Sequence, residues 1–186
     1  KQCQKPCASG ASIEEIFAVH MRQKTTCLTR KELEPKEQMV QTYQVDLRYP
    51  STFKNQDNSV VQFSELLRSS LGAVSEMKAW FDDSVRYQPV RQERMPVSLP
   101  EVMVCYTGLE DRSLIKYWDS RHGQEFPFAV SVTYDPTGGS VSCEQGRSVE
   151  DLQRKLEHVP EGSQRSIYLL TGVVGYIYDQ DEAEEI

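Results

Sequence analysis

Apolar and polar residues along the chain fall into short blocks with two periods. In SIEEIFAVH, Ser12 and Glu15 have capping-box spacing, and Ile13, Ile16 and Phe17 share one face. This predicts a short amphipathic helix closed by His20. TYQVDLRYP places Tyr43, Val45, Leu47 and Tyr49 at alternate positions until Pro50, the pattern of a half-buried strand. Phe63, Leu66, Leu67 and Leu71 return at helical spacing and Gly72 is placed to stop them, so a helix is expected over 63–71. Pro89, Pro96 and Pro100 keep RYQPVRQERMPVSLP extended, and EVMVCY after it reads as a short buried strand. EFPFAVSVTY alternates Phe126, Phe128, Val130, Val132 and Tyr134, and DPTGG turns the chain toward a hairpin partner. SVEDLQRKLEHV has Ser148 as N-cap, Asp151 at N3 and a stripe of Val149, Leu152, Leu156 and Val159, and is read as a helix. SIYLLTGVVGYIYD is a final β-rich segment. Short helices with a mostly antiparallel sheet give an α+β class.

With 186 residues the chain suits one domain with a genuine core. Lys and Arg total 21 against 28 for Asp and Glu, a formal charge of −7. This balance disfavours a phosphate backbone, so no direct nucleic-acid partner is expected. Asp179, Asp181, Glu182, Glu184 and Glu185 crowd the end of the chain. They lack the Gly turn and ligand spacing of a calcium loop, and read as a solvated charge block. The apolar runs are far shorter than the ~20 residues of a spanning helix, and no signal-peptide pattern opens the chain, so a soluble, cytoplasmic protein is expected, without membrane contact.

The five cysteines, Cys3, Cys7, Cys27, Cys105 and Cys143, are odd in number and lack framework spacing, which points to reduced thiols. Cys3 and Cys7, with His20 and Cys27, form a formal zinc quartet whose spacing departs from the usual ligand patterns. His20, His122 in a polar turn and His158 at a helix C-terminus read as structural or solvated groups. Asp82 and Asp83 are adjacent, point different ways and read as loop acids.

AWFDDSVRYQP, residues 79–89, reads like one knuckle of a zinc ribbon in which Phe81 and Ser84 occupy the thiol positions. TTCLTRKELEP, an alternating strand, a short helix, this knuckle and then SLPEVMVC follow one another in an order that resembles the fingers and palm of ubiquitin-specific proteases. DLRYP, AW at 79–80, RYQP at 86–89, LPEV at 99–102 and Cys105 resemble more closely the ubiquitin-hydrolase-like domain in catalytic subunits of the poly(A)-binding-protein-dependent poly(A) nuclease. The resemblance implies a papain-like ubiquitin-specific-protease fold. Degenerate zinc-ribbon fingers would span about 21–100 and palm about 101–186, together a partial domain over 1–186.

Carried over by position, the first knuckle falls on Cys27 and Arg30 and the second on Phe81 and Ser84. Structural zinc needs four deprotonated N or S ligands, so a set with one thiol implies no metal and no cofactor. Packing of Phe81, beside Trp80, against Leu28 would then replace the crosslink. A papain-like hydrolase also needs a Cys nucleophile, a His base and an orienting Asn or Asp. The family's cysteine box does not precede Cys27, and no Gly-His-Tyr element occurs before Ile186, so no catalytic residue is assigned. What the resemblance implies is a non-catalytic scaffold in mRNA deadenylation. It would pack on a DEDD-type 3′-exoribonuclease domain of the same polypeptide, which also binds a pseudokinase regulatory subunit. Two other classes stay open: a fragment of an active deubiquitinase lacking its catalytic boxes, and a stand-alone interaction module whose acidic end docks a basic partner.

Overall fold

The structure, a computed structural model, describes residues 12–49, 62–81, 86–108, 114, 126–137, 140–156 and 158–174, with Phe81 described by its backbone alone. Among these, the capping box of α1 (Ile13–Phe17) is formed: the Glu15 N–H donates to Ser12 Oγ at 3.2 Å, and the Ser12 N–H donates to Glu15 Oε2 at 2.7 Å. The helix has no buried residue and stops after little more than one turn. Ala18 is extended and β1 (Val19–Cys27) follows. His20 therefore stands on a strand and does not close the helix. The reason lies in VHMRQKTTC, where Val19, Met21 and Gln23 alternate inward and the period of two takes over.

β1 pairs antiparallel with β2 (Lys36–Thr42) and with β5 (Arg86–Ser98), and β5 pairs with β4 (Val74–Phe81). The resulting sheet has the order β2-β1-β5-β4. Prolines are normally confined to sheet edges and bulges, yet Pro89 and Pro96 lie in a central strand. The register slips between His20 and Met21, which pair with Ser98 and Pro96, so the bulge falls beside Pro96. At Pro89 the carbonyl accepts the Leu28 N–H at 3.0 Å and continues the β1 contact.

β3 (Val45–Asp46) is shorter than the alternation of 43–49 suggests, and pairs in parallel with β6 (Cys105–Tyr106). EVMVCY is thus not a continuous buried strand. Only Cys105 and Tyr106 have ladder geometry, while Val102 and Val104 are more than two-fifths exposed. α2 (Phe63–Leu71) has the boundaries its periodicity predicts and ends at Gly72. Its N-cap, Gln62, makes no side-chain cap, and Gln145 Oε1 instead accepts the Ser64 N–H at 2.9 Å. Ser70 Oγ donates to Leu66 O at 2.7 Å and accepts the Arg48 N–H at 2.9 Å, tying the helix to the chain after β3.

β7 (Ala129–Tyr134) lies between β8 (Val141–Gly146) and β9 (Gln164–Leu169), both antiparallel to it. All six β7 residues are buried, so the alternation of Val130, Val132 and Tyr134 marks no solvated face on this strand. The strand is central, with α2 packed against the sheet on one side and α3 (Val149–Lys155) reaching β7 and β8. α3 starts at Ser148, whose Oγ accepts the Asp151 N–H at 3.0 Å. It docks through Leu152, which is fully buried, over Gly146, where a Cβ would come within 2.9 Å of Leu152. One core joins these pieces: Val19 and Met21, Val45 and Leu47, Leu66, Leu67 and Leu71, and Val130 and Val132. Each such side chain contributes about 1.5–3 kcal/mol of burial.

Candidate functional site: the knuckle at the end of β1

Cys27 is the last residue of β1 and is buried opposite Val90. Alternation turns both inward, where Leu33 and Ala79 pack around them as a small separate cluster. The thiol lies 3.4 Å from Thr29 Oγ1, and this contact draws the Cys27 thiol below its ordinary pKa. Thr29 Oγ1 in turn donates to Oε1 of the buried Gln88 at 2.7 Å. Two residues on β5, Gln88 and Val90, thus hold the first knuckle. Arg30, in the second position of that knuckle, donates through Nε to Glu32 Oε1 at 2.7 Å, and its guanidinium keeps the Glu32 carboxyl below the usual range.

The backbone of Phe81 stands apart from Cys27 along the sheet. Cys27 is opposite Val90, Val90 is opposite Met77, and Phe81 lies four residues further along β4, paired with Arg86. Four ladder steps are about 13 Å along the strand, with two strand spacings of about 5 Å each across it. The Phe81 side chain and Ser84 lie outside the described residues. Leu28, expected to receive Phe81, is 39% exposed and stands outside the cluster, which uses Leu33 and Ala79 instead. The Arg30 guanidinium, already bound to Glu32, has no lone pair to offer a metal.

The quartet of Cys3, Cys7, His20 and Cys27 is contradicted in one pair. His20 and Cys27 stand seven residues apart on β1, about 23 Å at strand rise, and cannot share an ion. Cys3 and Cys7 lie outside the described residues, as do His122, Asp82, Asp83 and the acidic end. His20 contacts Ser98 Oγ through Nδ1 at 2.9 Å and Glu14 through Nε2 at 3.3 Å. His158 is exposed beyond α3, which ends at Lys155. Among the described residues, no group of three or more His, Cys, Asp or Glu side chains could hold a metal, and no helix is long and apolar enough to cross a membrane.

Cys27, Cys105 and Cys143 are free thiols. Burial pushes Cys105 up to about 11 and Cys143 up to about 12, so neither carries appreciable thiolate near neutrality.

The family model for ubiquitin carboxyl-terminal hydrolases matches residues 1–185. The chain belongs to the ubiquitin carboxyl-terminal hydrolase family. Within that family it is similar to the PAN2-PAN3 deadenylation complex catalytic subunit Pan2 of Rattus norvegicus, 28% identical over 159 residues, which cover 84% of this chain and 12% of that protein. The corresponding subunit of Chaetomium thermophilum is 25% identical over 137 residues, covering 72% of this chain and 11% of the relative. The chain therefore spans about a tenth of the length of the curated relatives it matches.

In fold, this ubiquitin carboxyl-terminal hydrolase domain is similar to the Neurospora crassa Pan2 catalytic unit, which contains protease and nuclease domains. There the TM-score is 0.60 at 19% identity, over 82% of this chain and 22% of that one. The apo Pan2 pseudoubiquitin hydrolase–RNA exonuclease module of Saccharomyces cerevisiae gives 0.55 at 12% identity, over 84% and 22%. The α+β fold with mostly antiparallel sheets and short helices is thus that of the ubiquitin-hydrolase-like modules. The Thr29–Gln88 link escaped sequence reasoning because the prolines of RYQPVRQERMP concealed a strand on which Gln88 and Val90 share an inward face.

Proposed function

We propose that the chain is a non-catalytic, scaffolding ubiquitin-hydrolase-like domain within the catalytic subunit of a deadenylase acting in the cytoplasm on mRNA tails. The poly(A)-specific exonuclease activity belongs, on this reading, to a separate domain of the parent polypeptide. This domain packs against that nuclease, and a pseudokinase regulatory subunit binds the same parent chain. The observation that carries the reading is the state of the described thiols in a member of a cysteine-hydrolase family. Cys105 and Cys143 are held protonated by burial, and Cys27 is buried in a knuckle and bonded to Thr29. His20 is occupied by Ser98 and Glu14 at the far end of β1. The similarity to Pan2 subunits supports the deadenylation context. In the same reading the fingers are a ribbon that has lost its metal, held by the Cys27–Val90–Leu33–Ala79 cluster and by Thr29 with Gln88.

Two measurements test this. The chain, incubated with ubiquitin carrying a C-terminal cysteine-reactive electrophile, is expected to remain unlabelled; labelling lost on mutation of one cysteine would sink the non-catalytic reading. Mixed with the separately expressed nuclease domain of its parent, the chain should co-elute and raise trimming of a poly(A) oligonucleotide. Failure to bind, with trimming unchanged, would refute the scaffold role.

A further inference from the structure

β4 is the outer strand of the β2-β1-β5-β4 sheet, and none of the described residues pairs with its second edge. Such an edge presents a row of N–H and C=O groups that another strand can satisfy. Natural edges are blunted by prolines, bulges, brevity or charges such as lysine; VSEMKAWF contains no proline, its register with β5 runs unbroken from Val74 to Phe81, and its two charges, Glu76 and Lys78, are of opposite sign. Three of its apolar side chains are largely exposed, Val74 at 53%, Met77 at 44% and Trp80 at 51%, although Trp80 also meets the ring of Tyr87 edge-on at 5.7 Å.

The charges on this edge specify its occupant. Alternation puts Val74, Glu76, Lys78 and Trp80 on one face. If a second β4 lies antiparallel about a two-fold axis at Met77, Glu76 of each copy falls opposite Lys78 of the other. Val74 then falls opposite Trp80, and Met77 meets its own copy. Unlike charges and β-branched–aromatic pairs directly opposite are favourable cross-strand pairs, whereas like charges are not. Centring the axis on Glu76 or on Lys78 sets that residue against its own like charge, so only the Met77 register is self-complementary in charge. The flanking strand agrees. Glu76 pairs in register with Arg91, which also binds Glu93 at 2.9 Å, while Lys78 is opposite the uncharged Pro89 and has no acid across from it on β5.

We propose that β4 is a self-pairing edge through which two copies of this chain join, antiparallel about Met77, into one continuous sheet. The contact is isologous, the same strand on both sides. It consists of one strand edge and a few side chains, so the association is of the weak class and depends on concentration.

Sedimentation equilibrium of the chain over a concentration series should show the mass rising from 21.3 kDa toward twice that value. Glu76→Lys and Lys78→Glu each place like charges opposite one another twice per dimer, and each should weaken association by about tenfold or more. The combined Glu76→Lys/Lys78→Glu variant restores unlike pairs by symmetry and should regain the wild-type association. Because these side chains are exposed, circular-dichroism melts should coincide; if a reversal variant does not fold, Trp80→Ala takes its place and should weaken association. A monomer at every concentration would overturn the proposal, as would a dimer indifferent to both reversals or a double variant that stays monomeric.

Discussion

The hydrogen bond from Thr29 to Gln88 joins residues 59 positions apart and ties the chain after β1 to β5. Its contribution follows from where the two ends lie. Gln88 is 4% exposed, whereas Thr29 stands at the surface. Thr29→Val keeps the shape but leaves Gln88 Oε1 without its donor, and an unsatisfied buried acceptor costs about 1–3 kcal/mol. Water can approach from the Thr29 side, so the lower part of that range is expected, about 1 kcal/mol. Gln88→Leu alone removes the acceptor and leaves the exposed Thr29 hydroxyl to water, a smaller loss. Once Gln88 is Leu, adding Thr29→Val should cost little, giving a coupling of roughly 0.5–1 kcal/mol in the double-mutant cycle. Urea unfolding of the four proteins measures this, and a shift in the thermal midpoint of about 2–4 °C per kcal/mol accompanies it for a chain of this size. Parallel melts with a strong chelator and with added zinc should superimpose. A coupling indistinguishable from zero, or a midpoint that falls with chelator, would refute a knuckle held by hydrogen bonding and packing without metal.

Other predictions follow from the core and from the thiols. Leu66 is fully buried in the cluster that joins α2 to both larger sheets, so Leu66→Ala should cost about 2–5 kcal/mol in urea unfolding; a loss below ~1 kcal/mol would mean that this helix is not the centre of the core. Cys105 and Cys143 titrate at about 11 and 12 in the folded chain because burial disfavours the thiolate, and Tyr168 is pushed up to about 12 for the same reason. Folded pKa values raised above the unfolded ones favour the folded state below the unfolded pKa, near 8.5 for a thiol and 10 for a tyrosine, and that stability is lost as pH rises through the folded values. The urea midpoint should therefore fall between about pH 9 and 12, less steeply in Cys105→Ala/Cys143→Ala, and an unchanged slope in that variant would remove the thiols as its cause.

What could be read in advance follows a physical rule: elements whose own side chains decide their environment were legible, and elements decided by distant neighbours were not. α2 carries a complete apolar stripe, with Gly72 at its end, and its boundaries needed no outside information. Ser148 and Ser12 announce their helices through local hydrogen bonds, although Ser12 begins a helix that β1 soon displaces. β1, by contrast, is mostly polar. Its inward Gln23 is 5% exposed and is bonded by Arg94 Nε at 2.8 Å from 71 positions away, so no hydrophobic alternation marks the strand. β5 hid behind its prolines, and full burial of β7 depended on its central place in the sheet and on α3 packed against it. The same division holds at the knuckle. That Arg30 carries a guanidinium, with no lone pair to offer a metal, is a property of one position, readable at once. That Gln88 bonds Thr29 is a property of a pairing register, and appears only when Cys27 is seen opposite Val90 with Leu28 bonded to Pro89. What holds the end of β1 is thus written in residues whose roles only the pairing of distant strands decides.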